Sequence, residues 1–476
     1  MPTFSSRRSL PYLAAASALV LAACASLPPA QAARVAKAPQ AYETAQTLSA
    51  PTADWPADAW WTSYGDAQLN ALEDEALKGS PTLAAAEARL RRAQALVGQA
   101  KSADLPQVSL GASAAESKQS YNAGIPPAFV PHGYNDIGRL ALDFSWELDF
   151  WGKNRAAVAA ATSEAKAAQA DAAQARLTLS TAIASTYAEL SRLYAQRDVA
   201  AAAVSLREQT SNLVSKRVAN GLDTKAESEQ AAAGPPASKA ELSAIDEQIA
   251  LTRNALAALV GAGPDRGLAI SRPATATIKP FGLPENLPAN LIGRRPDVVA
   301  AKWRAEAATS RTKQAKAAFY PDINLNGFIG VQSLYLDKLF SSGSDIGQVG
   351  PALRLPIFEG GRLRAGLRGA EADRDAAVAS YDGALIQALR EVADVTASEK
   401  ALASRLTDAR AALTANENAY RIARLRYEGQ LSTYQSVLLA EQSVLAQRRV
   451  VADLESRAFA LDIALIRALG GGFTGA

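Results

Sequence analysis

Histidine and cysteine, the side chains most versatile in catalysis and metal binding, occur once each in 476 residues, as His132 and Cys24. A Ser/His/Asp triad would have to recruit His132, and no Cys/His pair stands at zinc-ligand spacing. His132 lies in "IPPAFVPHGYN", a proline-rich stretch between two strand-like segments, where it reads as a solvated loop residue. "GGRLRAGLRGA", from Gly360, is glycine-rich but matches no phosphate-binding loop. An enzyme such as a lipoprotein hydrolase would need an essential His132, and the chain reads instead as a passive protein, with no metal and no cofactor apart from a covalent lipid. Lys and Arg number 50 against 47 acidic residues, and removal of Arg7 and Arg8 with the N-terminal segment leaves 48 against 47, or +1. That balance lacks the concentrated basic face a nucleic acid requires.

The elements around these residues begin at residues 1–23, where Arg7 and Arg8 precede the apolar run Tyr12 to Ala23. The run is too short for a bilayer core and reads as a secretory signal peptide, the Arg pair being a poor twin-arginine signal. "LAAC", Leu21 to Cys24, resembles the lipobox of bacterial lipoproteins. The resemblance implies that Cys24 becomes residue one and carries the lipid; the alternative is a small residue beside a cleavage site. Each buried methylene contributes about 0.8 kcal/mol, so a multiply acylated Cys24 would be a durable anchor. Ala25 next to it favours outer-membrane sorting in the lipoproteins it resembles. Residues 24–59, rich in Ala, Pro, Thr and Gln, read as lipid anchor and tether.

Beyond the tether the chain repeats itself. Pro81 to Leu110 aligns with Pro296 to Leu325 at an offset of 215, with 11 identities in 30 residues and no gap. Each copy opens on a proline suited to a first helical turn and closes on one that stops it, Pro106 or Pro321, giving helices of about 24 residues. The paired junctions "QAKSADLPQVSL" and "QAKAAFYPDINL" mark an internal duplication in which a helix gives way to a strand.

The strands alternate. In "LALDFSWELDF", Leu140, Leu142, Phe144, Trp146, Leu148 and Phe150 alternate with Ala141, Asp143, Ser145, Glu147 and Asp149. Val108, Leu110, Ala112 and Ala114 do likewise, as do Ile323, Leu325, Ile329 and Val331, while Val349 to Ile357 is weakened by Pro351 and Pro356. Such alternation suits a soluble antiparallel sheet, but these strands reach the ~9–11 residues that cross a membrane, and Phe150 and Trp151 close one where interfacial aromatics occur. Four strands cannot close a spanning barrel, so the chain must oligomerise.

The remainder is helical. Sixty-eight residues between Gly152 and Gly221 contain no Gly or Pro, and no Pro follows Pro356. Ile183, Tyr187, Leu190 and Tyr194, and Val437, Val444, Val451, Ala458 and Leu465 with Leu454 and Leu461, repeat as helix-packing seams do, although a coiled-coil stalk would show the same. The turns "RVANGLDT" and "RYEGQLST" correspond at an offset of 209, as do "GKNR" and "GRLR". The division is therefore a first repeat over 60–265, with strands near 106–118 and 137–150 and a helical hairpin at 152–260, then a linker or equatorial segment at 266–295. The second repeat, 296–476, has strands near 321–332 and 346–358 and a hairpin at 361–469.

"WWTSYGDAQLNALEDEAL", "RRPDVVAAKWRAEAA" with "AAFYPDINL", and "LRLPIFEGGRLRA" resemble the outer-membrane factor family, the TolC-like and OprM-like exit ducts of tripartite efflux pumps, most closely its NodT-type lipoprotein branch. The match runs from about Trp60 to Leu469. It implies a mainly α fold with a transmembrane β-barrel, in which a homotrimer closes twelve strands above a helical periplasmic tunnel. It implies an outer-membrane channel passing drugs and other toxic small molecules outward from an inner-membrane RND-type transporter and a periplasmic adaptor. An exit duct for type I protein secretion shares that fold, and a lipid-anchored periplasmic adaptor is the remaining alternative. Position by position, Glu227 falls where relatives often carry an acidic gate residue, and Ser436 and Leu439 fall where they often carry acids in the second half. Gly221 and Leu222, with Gln430 and Leu431, resemble the tips that receive adaptor hairpins. Gly221 matches the usual glycine, and Gln430 departs from it.

Overall fold

The computed structural model describes residues 27–29 and 32–475 apart from 123, 275 and 279, so the expected signal segment and Cys24 lie outside the described residues. The helices are α1 (Ala67–Gly79), α2 (Pro81–Ser102), α3 (Lys153–Ala219), α4 (Lys225–Ala232), α5 (Gly234–Leu259), α6 (Asp265–Leu268), α7 (Leu287–Arg294), α8 (Pro296–Ala317), α9 (Arg362–Glu428) and α10 (Tyr434–Ala468). The strands are β1 (Gln107–Ser117), β2 (Asn135–Glu147), β3 (Asp322–Ser333) and β4 (Asp345–Arg354). No helix among the described residues is long and apolar enough to cross a membrane.

The duplication is visible in lengths: α2 and α8 have 22 residues each, and α3 and α9 have 67 each. Pro106 and Pro321 do not themselves end α2 and α8, which stop at Ser102 and Ala317. Tighter turns follow, with the Leu105 amide on the Ser102 carbonyl (3.2 Å) and the Tyr320 amide on the Ala317 carbonyl (3.1 Å). The prolines then stand directly before the strands, where their missing N–H costs nothing and the residue ahead is steered out of the helical region.

The returning limbs differ. The first is broken at Ala233 into α4 and α5, because Pro235 and Pro236 in the first turn of α5 cannot donate to a continuing helix. The second, α10, is continuous for 35 residues. Residues 266–295 are also not bare linker, since α6 overlaps their start, α7 occupies their end, and Leu283 bridges to Thr52 as a parallel pair.

The chain divides into two compact units. One takes Leu90–Ala168 and Ala301–Tyr381 and contains the sheet. Its strands run antiparallel in the order β1-β2-β3-β4, leaving β1 and β4 as edges. Register carries the apolar alternation across all four strands: Val108 faces Phe144, Phe144 faces Gly327, and Gly327 faces Val349, while Leu110, Leu142 and Ile329 form the next row. Among the described residues this face is largely open, and Leu110, Ile329 and Val349 are 67%, 69% and 73% exposed. β4 ends at Arg354 rather than near 358, and Pro351 is accepted opposite Leu325 because the other side of β4 is an unpaired edge.

The second unit, which takes Lys37–Arg89, Gln169–Ala300 and Asp382–Ala476, holds the main core. Trp60, Trp61 and Tyr64 meet edge to face and pack with Leu69 and Leu72 of α1, Ile183, Tyr187 and Leu190 of α3, Leu256 of α5, and Phe459 and Ile463 of α10. Asp66 caps α1 by accepting from the Gln68 and Leu69 amides, and its other oxygen receives the Tyr187 hydroxyl at 2.7 Å. The segment expected as tether is held here through its backbone: the Lys37 amide donates to the Asp382 carboxylate (3.0 Å), the Ala53 amide donates to the Leu283 carbonyl (3.0 Å), and the Leu283 amide donates to the Pro51 carbonyl (2.8 Å).

Candidate functional site

The two turns that join outgoing to returning helices, with the first residues of the helices that follow, carry most of the expected site residues, and both lie in the second unit. In the first, Gly221 has φ +75°, the Gly221 amide reaches the Val218 carbonyl (3.0 Å), and the Leu222 amide reaches the Arg217 carbonyl (2.9 Å). In the second, Gln430 has φ +63°, its amide reaches the Tyr427 carbonyl (3.1 Å), and the Leu431 amide reaches the Arg426 carbonyl (2.7 Å). These are the same helix-ending motif, so the second tip keeps its shape although glutamine replaces glycine. Leu222 and Leu431 project at both tips, 48% and 71% exposed.

Behind the first tip lies a cluster that spacing alone did not reveal. Arg217 donates from Nε to Asp223 Oδ2 at 2.8 Å, stacks its guanidinium 4.2 Å from the Tyr427 ring centre, and reaches the Glu428 carbonyl at 3.4 Å. The Tyr427 hydroxyl donates to the same Asp223 oxygen. One carboxylate of the first hairpin thus receives a cation from its own hairpin and a hydroxyl from the other. Burial alone would raise the Asp223 carboxyl, but the Arg217 and Tyr427 hydrogen bonds and the Arg217 charge outweigh it and hold the carboxyl below the ordinary value. Val214, Ala231, Tyr434 and Val437 pack around the tyrosine. A tyrosine nine residues before the second turn's Ser436, and an aspartate two after Gly221, were the available signals; only the fold brings them together.

Glu227 is half-buried and closes a capping box: Thr224 Oγ1 accepts from the Glu227 amide (3.4 Å) and Glu227 Oε2 accepts from the Thr224 amide (2.8 Å). Its immediate work is to start α4. Ser436 occupies the same third position of α10, but Thr433 makes no side-chain cap there. Ser436 and Leu439 are exposed on α10.

The duplicated junctions form a second constellation, in the sheet-bearing unit. The Trp146 indole donates to the Asp104 carbonyl beside Pro106 (3.0 Å), and the Trp151 indole donates to the Pro321 carbonyl (2.9 Å) while stacking on Tyr320 at 4.8 Å. Gly152 and Gly361 follow at matching left-handed turns, φ +77° and +86°. His132 stands exposed in its loop, 5.3 Å from the Tyr121 ring.

A family model described as outer membrane efflux protein matches residues 72–262 and 287–471. The fusaric acid resistance protein FusA of Burkholderia cepacia is 37% identical over 381 residues, covering 78% of this chain and 71% of that protein. The multidrug resistance outer membrane protein MdtP of Escherichia coli K12 is 30% identical over 449 residues, covering 91% of this chain and 90% of the other. The crystal structure of the outer membrane protein VceC of Vibrio cholerae matches with a TM-score of 0.84 at 50% identity, over 88% of this chain and 100% of that one. With a family model reaching through both copies of the repeat and relatives of this identity over most of its length, the chain belongs to the outer membrane efflux protein family, a family of outer-membrane channels and not of enzymes.

Proposed function

We propose that this chain is the exit duct of a tripartite efflux assembly, in which three copies close one twelve-stranded barrel and join their helices into a periplasmic tunnel. The observation that carries this reading is the four-stranded sheet whose in-register apolar face and two edges are left open by the described residues. A spanning sheet needs at least about eight strands and tolerates no open edge in lipid, so the sheet is complete only in an oligomer. Residues 1–23 would direct export, Cys24 would carry the lipid, and 24–59 would lead from it towards the folded chain. The tips at Gly221, Leu222, Gln430 and Leu431 would receive a periplasmic adaptor, which in turn engages an RND-type transporter. Glu227, Ser436 and Leu439 would line the narrowest part of the tunnel, where a ring of three Glu227 carboxylates supplies the remaining acid. The cargo would be small toxic molecules, the class named in the multidrug and fusaric acid resistance relatives.

Heat-modifiable migration of a trimer, retained in the membrane after Cys24→Ser, together with new susceptibility of a deletion strain to antibiotics, dyes or detergents, is the expected result. A soluble monomer released by Cys24→Ser would overturn the channel reading. An unchanged susceptibility panel would redirect it to protein secretion.

A further inference from the structure

Where β2 hands over to α3, the sheet-bearing unit has a recess of about 380 Å³ lined by Asp104, Trp146, Glu147, Asp149, Phe150 and Arg155. Alternation along β2 puts Leu142, Phe144 and Trp146 on one face, and Leu148 and Phe150 follow them into the recess. It therefore opens at the helical end of the sheet's exposed apolar face.

The polar groups of this recess are only partly matched. Arg155 gives Nε to Asp149 Oδ2 (3.3 Å) and Nη2 to the Asp149 carbonyl (3.2 Å), and the same carboxylate oxygen accepts the Arg155 amide (2.9 Å). The guanidinium is thus held in place with its Nη1 bonded to none of the described residues, on a side chain 68% exposed. Glu147 is taken by Lys153 Nζ at 2.8 Å. Asp104 is pinned by its main chain, because the Trp146 indole bonds its carbonyl and Asn154 Nδ2 donates to the Ala103 carbonyl at 3.2 Å. Its carboxylate has no partner among the described residues. One open cationic donor and one open carboxylate therefore share a recess rimmed by two aromatic rings. The second junction keeps the arginine as Arg364 but has Phe319 and Phe358 in the places of Asp104 and Asp149, so the arrangement belongs to the first junction.

We propose that this recess seats the headgroup of one phosphatidylethanolamine per chain, with its phosphodiester on Arg155 Nη1, its ammonium on the Asp104 carboxylate, and its acyl chains along the apolar face beyond Trp146. This rests on reading the sheet as part of a barrel wall in lipid. A guanidinium matches the delocalised charge of a phosphodiester, and an ammonium offers three N–H donors to a carboxylate. The Trp146 ring, apolar with one polar edge, suits the depth at which headgroup meets chain. With Asp149 occupied by Arg155 and Glu147 by Lys153, Asp104 leaves the lining one negative charge in excess. An anionic headgroup such as phosphatidylglycerol meets that charge as repulsion, and the choline headgroup has no N–H to give it.

The test places the full-length protein in nanodiscs holding equal amounts of phosphatidylethanolamine, phosphatidylglycerol and phosphatidylcholine, and counts by native mass spectrometry the lipids that stay bound on release. The parent should retain the ethanolamine lipid several-fold over the other two. Asp104→Asn should lose that preference, Arg155→Gln should retain fewer lipids of every kind, and Phe358→Ala at the second junction should behave as the parent. Quenching of indole fluorescence by brominated phosphatidylethanolamine should fall in Trp146→Phe and in Asp104→Asn, a readout that holds even where release strips the lipid. Equal retention of the three lipids by the parent, or an Asp104→Asn protein that keeps the preference in both measurements, overturns the site while leaving the barrel intact. A protein that enters no nanodisc refutes the barrel reading and the lipid site with it.

Discussion

The two hairpin tips arose from one duplicated unit, share one backbone motif, and keep Arg217 and Thr224 as Arg426 and Thr433, but have diverged at Gly221, Asp223 and Glu227. The first has glycine at the left-handed position, an aspartate buried against Arg217 and Tyr427, and a complete capping box. The second has Gln430 in that conformation, Ser432 in place of Asp223 with its hydroxyl buried and unbonded, and Ser436 in place of Glu227. Arg426, the counterpart of Arg217, is exposed and reaches the Leu431 carbonyl at 3.5 Å. The shape of a helix turn thus survives through backbone hydrogen bonds alone, while the links that lock it are concentrated on one side. The first tip thus carries most of the side-chain links, one of them shared with Tyr427 of the second hairpin, and the second tip relies on its backbone bonds.

Breaking the Asp223 link should have the largest effect. Asp223→Ala leaves Arg217 and the Tyr427 hydroxyl without their acceptor in a site where the paired side chains are 10% and 8% exposed, and should cost ~3 kcal/mol. Thermal melting of the purified protein measures this, and Ser432→Ala at the equivalent place should be near neutral. Because the folded Asp223 carboxyl is lowered, its contribution is fully present above the ordinary 3.8 and lost as pH falls through the folded value. Asp223→Asn should remove that acid-side slope in a melting profile.

Exchanging the turn residues sharpens the comparison next. Gly221→Gln forces a side chain into the left-handed region and should cost about 1–2 kcal/mol, while Gln430→Gly should stabilise by somewhat less because glycine also loosens the unfolded chain. Equal effects at the two tips would show that the shared φ does not determine their strength. Thr224→Ala should then cost ~1 kcal/mol and Thr433→Ala distinctly less, since only the first makes a side-chain cap. Smallest of all, Ser436→Glu should complete the second box and slow amide exchange at the start of α10 by ~0.5 kcal/mol of local stability.

Much of this was legible in one dimension. Alternation from Leu140 to Phe150 marks β2, and "GKNR" and "GRLR" mark where each long helix begins, because strand and helix periodicities are local properties of neighbouring residues. The break at Gly234, Pro235 and Pro236 has a local signal too, since proline acts on its own helix, but the reading of one hairpin over 152–260 passed over it. Proline at 351 misleads, because its cost depends on whether β4 is an edge. The Asp223 and Tyr427 pair, 204 residues apart, has no local signature.

By itself the sequence determined the duplication, the element types, the absence of a histidine or cysteine site able to support catalysis, and the apolar rows of the strands, all of which follow from residue identity and spacing. The tertiary structure alone decided that those rows fall in register across four strands and that the two hairpins are tied through Asp223. Burial and hydrogen bonding between helices depend on which surfaces meet, and that is settled only when distant parts of the chain pack together.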